Sequence, residues 1–148
     1  MGILNVTEDS FSDGGLYLDA EKAKARAQQM IDEGADIIDI GGESTRPGAE
    51  PVSLDEELER VIPLVEFVAG MGIPVSVDTS KAEVMRAAVW AGACMVNDVC
   101  ALQGEGALEA VADLKVPVCL MHMQGTPGTM QDKPQYDDVV NDIIAFFE

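Results

Sequence analysis

Residues 34–52 read GADIIDIGGESTRPGAEPV, in which a short apolar run lies between a glycine and a glycine pair. The run from Ala35 to Ile40 has the length and the isoleucine content of a buried strand. Gly34 stands where a glycine ends a preceding helix, and the pair Gly41-Gly42 begins a polar loop. A helix, a buried strand and a polar loop in this order are typical of one unit of a parallel α/β sheet.

The same order recurs along the chain of 148 residues. Apolar runs predict five strands, namely Ile3–Asn5, Ala35–Ile40, Ile73–Asp78, Cys94–Val99 and Val116–Met121. Helical periodicity predicts a helix between each pair of strands and a last helix from near Tyr136, with Val139, Val140, Ile143, Ile144 and Phe147 on one face.

Signals at the helix ends refine these boundaries. The first helix is expected to begin at Asp19 and to end at Gly34. Capping boxes are expected at Ser53 with Glu56 and at Ser80 with Glu83, so that the second and third helices begin there. Pro63 predicts a kink or a break in the second helix. The third helix is expected to run to about Ala91, and the fourth from about Glu105 to Leu114.

Two architectures fit consecutive strand–helix units, an open doubly wound sheet and a TIM (β/α)₈ barrel. A doubly wound dinucleotide binder would carry GxGxxG after its first strand, and this loop lacks it. Polar residues fall instead where strands end: Asn5, Glu43 to Arg46, Asp78, Asn97 and His122. Barrel strands gather their carboxyl ends on one rim, where active sites are built. We therefore predict an α/β chain that forms the first five units of a TIM barrel.

The composition argues against two classes of binding partner. The formal net charge is −18, from 27 acidic and 9 basic side chains. A chain this acidic is a poor ligand for nucleic acid or for an anionic membrane surface. Cys94, Cys100 and Cys119 are scattered among apolar residues without zinc-ligand spacing, so we expect reduced cysteines in the core. With no leader and no spanning segment visible, we expect a cytoplasmic protein.

Three residues at the strand ends have both a structural and a functional interpretation. Asp78 could accept hydrogen bonds from the amides at the start of the next helix, or it could face a cationic ligand. The residues alone favour neither interpretation. Arg46, in a Gly/Pro loop, could be a surface charge or a bidentate phosphate ligand. Asn5 taken alone is best interpreted as a turn residue, although its amide oxygen could also bind Mg²⁺.

The fourth and fifth strands end in a second polar group. Of Asn97 and Asp98, one is expected to stabilise the turn and the other to contact a heterocycle edge. His122 is best interpreted as a satisfied rim residue, and Met121 as a packing residue that could wall a flat ligand. No nucleophile–base arrangement is readable, so a covalent intermediate is not indicated.

These blocks together resemble the dihydropteroate synthases of the pterin-binding barrel family. GILNVTEDSFSDGG and GADIIDIGGESTRPGAEPV resemble that family's first two signatures, and PVSVDTSKAEVMRAAVWAGACMVNDV and LMHMQGTPGTMQ resemble later blocks in the same order. The resemblance covers the whole chain as a single pterin-binding domain, residues 1–148.

The resemblance implies a transferase of folate biosynthesis. Such enzymes condense hydroxymethyl-dihydropterin diphosphate with p-aminobenzoate to give 7,8-dihydropteroate and pyrophosphate, with Mg²⁺ present. Asn5 is then expected to contact Mg²⁺ and the diphosphate, and Arg46 to bind the diphosphate. Asp78 and Asn97 match pterin contacts, and Met121 matches a pocket wall. The p-aminobenzoate side is matched by Phe11, Thr45 and Pro47.

Some features depart from the family pattern. Glu8 replaces a usual proline, and Gly128 stands where a lysine is common. Because a complete barrel needs about 250 residues, we expect a domain truncated at its C-terminus. The isolated chain is expected to be poorly active or inactive, and the homodimer usual in the family would lack the later helices. The alternatives are a non-catalytic pterin-binding fragment or pseudoenzyme, and a methyltetrahydrofolate-binding transferase, which the TRPG and Phe11 loops disfavour.

Overall fold

The computed structural model describes residues 1–7, 15–44 and 51–148, and the side chains of residues 15–19 also lie outside its description. Strands and helices alternate along this part of the chain. Their bounds are β1 Gly2–Asn5, α1 Gly15–Asp32, β2 Ile38–Gly41, α2 Leu54–Gly70, β3 Val75–Asp78, α3 Ala82–Ala91, β4 Met95–Asp98, α4 Ala107–Leu114, β5 Val118–Leu120 and α5 Val139–Phe147. The predicted order of strands and helices is confirmed.

The strands form one parallel sheet in the order β1-β2-β3-β4-β5. Each strand is thus paired with its neighbour in sequence, and α2 packs against both α1 and α3, while α3 also packs against α4. A doubly wound sheet reverses its strand order and places helices on both faces. Sequential order with helices packed side by side is the arrangement of a barrel wall, so the α/β barrel class is confirmed as an open, five-stranded arc.

The apolar core lies between the sheet and these helices. Alternate strand residues face it, and each is nearly or completely buried: Leu4, Ile38, Ile40, Val75, Val77 and Val96. The helices contribute the buried side chains Ala23, Ala27, Val61, Val65, Val68, Val84, Met85, Ala88, Ala107 and Ala110. The other face of the sheet carries Asn5, Asp78 and Asn97, because side chains alternate along a strand.

The second helix begins as its sequence predicts. Ser53 is the N-cap of α2, its side chain accepts a hydrogen bond from the Glu56 amide, and the Glu56 carboxylate accepts one from the Ser53 amide. The helix then continues through Pro63 to Gly70, so a break at the proline is excluded. Four apolar side chains of α2 in the core, Val61, Leu64, Val65 and Val68, hold its two halves in one helix.

Two other predicted helix starts are wrong. The first helix begins at Gly15 and not at Asp19. The N-cap of α3 is Lys81, which makes no side-chain capping bond, so Ser80 and Glu83 stand out of register for a capping box. The amide of Lys81 instead donates to Thr79 Oγ1 at 3.2 Å. The predicted ends of the first and third helices are confirmed, since Gly34 and Gly92 follow α1 and α3 with positive φ angles of 96° and 119°.

The last helix and the cysteines are more exposed than the sequence predicts. The helix α5 starts at Val139 behind an Asp138 N-cap, and none of its residues is buried. Cys94 and Cys119 are exposed and Cys100 is intermediate, so the prediction of core cysteines is wrong, although all three are free thiols. The exposure of Cys119 follows from its position on β5, which has a strand on one side alone in the described sheet.

Within the described ranges, none of the helices combines the length and the apolar content needed to cross a bilayer.

Candidate functional site at the carboxyl ends of the strands

The carboxyl ends of four strands align in one row. Asn5 is the register partner of Gly41, Gly41 of Asp78, and Asp78 of Asn97. Register partners in a parallel sheet point to the same face. Since Leu4, Val77 and Val96 are buried against the helices, this row faces the opposite side, which is the inner face of the arc. Three predicted site residues therefore lie on one rim.

Gly41 leaves a space between two of these side chains. A Cβ atom at Gly41 would lie 3.0 Å from Asn5 Oδ1 and 3.5 Å from Asp78 Oδ2. The amide oxygen and the carboxylate thus approach the same point above the glycine. A larger residue at this position would displace Asn5.

Asp78 is the strongly perturbed acid of the row. Burial above all, together with the negative charges of Asp39, Asp98 and Glu57, raises its pKa from 3.8 to about 7. Withdrawing a carboxylate from water disfavours its charged form, and neighbouring carboxylates act in the same direction. A cationic ligand or a hydrogen-bond donor beside Asp78 would therefore be bound favourably, because it would relieve both effects.

Asn97 is oriented by a buried acid that the sequence did not single out. Its Nδ2 donates a hydrogen bond of 3.1 Å to Asp39 Oδ2, and Asp39 is only 3% exposed. This hydrogen bond orients the Asn97 amide, which can present its carbonyl oxygen and a second N–H to a ligand. Asp39 was missed because it lies inside the run that predicts a buried strand. Its position on the inner face, two residues before Gly41, was the signal available.

Asp98 has the structural role that one member of the pair was expected to have. Its two carboxylate oxygens accept hydrogen bonds from the amides of Cys100 and Leu102, at 2.8 and 2.7 Å. Burial raises the pKa of Asp98, and these two amides partly offset that effect. The prediction that one of the two residues stabilises the turn is confirmed.

A second group of charges lies beside the row. The Lys81 ammonium pairs with Glu43, which follows β2, and with Glu57, which lies fully buried on α2. Burial works to lower the pKa of Lys81, and the hydrogen bonds and charges of the two glutamates outweigh it and raise that pKa. Periodicity alone did not reveal Glu57 as a core residue, although it precedes the buried Val61 by one turn.

The fifth strand brings two further predicted residues to the same end of the sheet. Met121 lies one residue beyond β5, is half-buried, and donates its amide to the Asp98 carbonyl oxygen at 3.3 Å. His122 contacts the rings of Tyr136 and Phe146, with centroid distances of 5.7 and 4.8 Å. These contacts agree with the interpretation of His122 as a satisfied rim residue.

The remaining predicted site residues lie outside the described residues. They are Phe11, Thr45, Arg46 and Pro47, and Glu8 belongs with them. Their roles in binding diphosphate or p-aminobenzoate stay predictions from the sequence.

Asn5 and Asp78 provide oxygen atoms that suit the expected Mg²⁺. An amide oxygen and a carboxylate around the open space at Gly41 are hard oxygen donors, which this cation prefers. In the part of the chain that the structure describes, no group of three or more His, Cys, Asp or Glu side chains could hold a metal ion. The residues fit a cation that takes one or two protein ligands and completes its shell with phosphate oxygens and water.

A separate groove lies on the helical side of the sheet. It has a volume of about 460 Å³ and is lined by residues at the N-terminal ends of α3 and α4: Ser80, Lys81, Ala82, Glu83, Arg86, Glu105, Gly106 and Glu109. Its glutamates make it a poor site for a diphosphate. The inner rim remains the better candidate.

Comparison with known proteins finds similar sequences and similar structures. Dihydropteroate synthase of Escherichia coli is 56% identical over 148 residues, which are 99% of this chain and 52% of that protein. The crystal structure of Yersinia pestis dihydropteroate synthase with a sulfonamide drug complex superposes with a TM-score of 0.90 at 57% identity, covering 99% of this chain and 54% of the other. Xanthomonas albilineans dihydropteroate synthase with 4-aminobenzoic acid gives a TM-score of 0.86 at 60% identity, over 99% and 52% of the chains.

The chain therefore spans about half the length of the curated relatives it matches. The family model described as pterin binding enzyme matches residues 1–148. On its sequence, its strand order and the row of polar strand ends, this chain belongs to the pterin binding enzyme family.

Proposed function

We propose that this chain supplies part of the active site of a transferase of folate biosynthesis. The reaction condenses hydroxymethyl-dihydropterin diphosphate with p-aminobenzoate and yields 7,8-dihydropteroate and pyrophosphate. The observation that supports this most is the row Asn5, Gly41, Asp78 and Asn97 on the inner face of the sheet. The relatives that match the chain carry this activity in their names.

The chemistry of the row suits a pterin. A pterin ring presents N–H donors along one edge, and Asp78 and the carbonyl oxygen of Asn97 are acceptors. The hydrogen bond from Asn97 to Asp39 fixes the orientation of the amide, and its carbonyl oxygen can accept from the pterin edge. Binding a donor next to Asp78 stabilises its ionised form and lowers the pKa that burial had raised.

The reaction proceeds by an SN1-like course. The bond between the pterin methylene carbon and the diphosphate oxygen breaks, and the diphosphate leaves with the electron pair. The pterin cation that remains is stabilised by the nearby Asp78 carboxylate. The amine of p-aminobenzoate attacks the methylene carbon, a C–N bond forms, and the amine loses a proton. This course needs no protein nucleophile.

Departure of the diphosphate requires compensation of its negative charge. Bound Mg²⁺ would supply positive charge at the diphosphate, and Asn5 would hold it through its amide oxygen. Arg46 would bind the diphosphate by its guanidinium fork. Phe11, Thr45 and Pro47 would contact p-aminobenzoate, and Met121 would wall the pterin. We infer a cytoplasmic location for this chemistry.

Calorimetric titration of the chain with the pterin diphosphate tests the proposal. We expect saturable binding in the presence of Mg²⁺ and weaker binding in EDTA. Asp78→Asn should weaken binding by about tenfold, as expected for loss of one charged hydrogen bond. No binding in either buffer would contradict the proposal. Binding without formation of dihydropteroate is the result expected of a chain that supplies part of the active site.

A further inference from the structure

Glu57 is a fully buried carboxylate on the core face of α2. A buried charge without a partner is very costly, and an apolar residue of similar size would often serve stability as well as a buried ion pair does. Glu57 Oε2 pairs with Lys81, while Oε1 has no hydrogen-bond partner among the described residues. Stability alone therefore gives a weak account of why α2 carries an acid here.

The Lys81 ammonium connects Glu57 with Glu43. The Glu43 side chain is 29% exposed and that of Glu57 1% exposed, so the two ion pairs differ in kind. Glu57 needs a partner because burial removes its carboxylate from water. The pairing of Glu43 contributes little to stability, because water competes for this partly exposed carboxylate. The Glu43 pair joins the residues that follow β2 to the N-cap residue of α3.

The three charges join the elements that carry the candidate site. Glu43 follows Gly41 by two residues and precedes Arg46 by three, and Lys81 follows Asp78 by three. The Lys81 amide donates to Thr79 Oγ1 at 3.2 Å, and the Thr79 amide donates to the Asn97 carbonyl oxygen at 3.0 Å. Lys81 thus connects the end of β2, the start of α2 and the strand ends of β3 and β4.

A further contact secures the same segment. Arg60 Nη1 donates to the Gly42 carbonyl oxygen at 3.3 Å, from the turn of α2 that follows Glu57. The end of β2 is therefore held to α2 on its backbone and to Lys81 at Glu43.

We propose that Lys81 is a positioning residue that, through Glu43 and Glu57, fixes residues 41–44 at the end of β2 relative to Asp78. The inference rests on the proposed function, since it assigns the diphosphate side of the ligand to that segment. Loss of the Glu43 pair should then weaken recognition of the diphosphate and leave recognition of the pterin ring intact.

The test compares two ligands, hydroxymethyl-dihydropterin diphosphate and the same pterin as the free alcohol, titrated calorimetrically into the chain with Mg²⁺. Glu43→Gln should lower affinity for the diphosphate about 3- to 10-fold and affinity for the alcohol less than about twofold. Glu59→Gln, an exposed acid on α2, is the matched control and should change neither. Equal losses for both ligands, or no loss for either, would overturn the inference.

A double variant separates positioning from stability. Lys81→Met with Glu57→Leu replaces the buried pair by apolar side chains and should retain the unfolding midpoint. It should still lose the diphosphate preference to the same extent as Glu43→Gln. A double variant that binds both ligands as the parent chain does would contradict the inference.

Amide hydrogen exchange distinguishes failure of this inference from failure of the proposed function. Glu43→Gln should speed exchange of residues 41–44 relative to the parent chain and to Glu59→Gln, whether or not any ligand binds. A parent chain that binds neither pterin would contradict the proposed function. Unchanged exchange in Glu43→Gln would overturn the positioning role.

Discussion

At the scale of single residues, Asp78 shows that binding and stability oppose each other. Its carboxylate lies on the inner rim, with three other acids near enough to raise its pKa. A group in this condition binds a cation or a donor well and is costly to keep ionised when no ligand is present. The rim is therefore where substitution should stabilise the chain while weakening its binding.

The pH dependence of folding follows from this shift. Between pH 3.8 and about 7 the folded chain keeps a proton on Asp78 that the unfolded chain has released. The stabilisation from this group is therefore fully present below the lower value and is lost as the pH rises through the higher one. Asp78→Asn removes the penalty, so we expect the variant to be more stable than the parent by about 1–2 kcal/mol at pH 8 and equal to it near pH 4.

Urea unfolding at pH 4, 6 and 8 measures this difference. Asp132→Asn, which alters an exposed acid, is the control and should leave the free energy of unfolding unchanged at each pH. An Asp78→Asn variant less stable than the parent at pH 8 would show that the carboxylate is paired and not repelled.

The residues of the rim could be predicted where a polar residue ends an apolar run, as at Asn5, Asp78 and Asn97. It could not be predicted for Asp39 and Glu57, because each stands inside a pattern that reads as buried strand or amphipathic helix. A buried charged residue cannot be recognised from periodicity, because its partner is distant in the sequence. Lys81, for example, is 24 residues from Glu57.

At the scale of elements, α2 is the helix that the sequence describes best. Its start carries both hydrogen bonds of a capping box, and its core face follows the predicted period. The equivalent signal at Ser80 failed because Thr79 takes the Lys81 amide and the helix begins one residue later. Short-range capping signals are decided by which of several neighbouring oxygens reaches the first free amide.

Removal of the Ser53 hydroxyl tests the start of α2. Ser53→Ala should lower the free energy of unfolding by about 1 kcal/mol, since one amide of the first turn loses its partner. Chemical denaturation of both chains at neutral pH measures the change. An unchanged midpoint would mean that water replaces the cap at no cost.

Gly42, which follows β2, and Gly70, at the end of α2, give a matched pair of glycine substitutions. A Cβ at Gly42 would lie 2.8 Å from Val61 Cγ2 and 3.0 Å from Glu57 Cγ, whereas nothing lies within 4 Å of one at Gly70. Gly42→Ala should cost about 1–3 kcal/mol by overpacking. Gly70→Ala, near the end of the same helix, should be neutral or stabilise by about 0.5–1 kcal/mol. Equal effects in thermal unfolding would contradict the close packing at Gly42.

At the scale of the whole molecule, the sequential strand order places the site. Repeated strand–helix units could be predicted from apolar runs and caps, and the barrel was favoured because polar residues stood at the strand ends. Register could not be predicted, because it depends on contacts between strand residues that are distant in sequence, such as Asp78 and Asn97. In the structure that register sets Asn5, Gly41, Asp78 and Asn97 side by side. The exposure of the cysteines and of α5 could not be predicted, because an apolar pattern does not show which neighbouring elements cover a residue.

Mapping of the pterin diphosphate on the chain by NMR chemical shifts tests most directly whether the aligned strand ends are the binding site. The ligand should perturb the resonances of Asn5, Gly41, Asp78 and Asn97 in a saturable manner and leave Arg86 and Glu109, on the helical side of the sheet, unchanged. Shifts confined to the groove between α3 and α4, with the four strand-end residues unaffected, would contradict it.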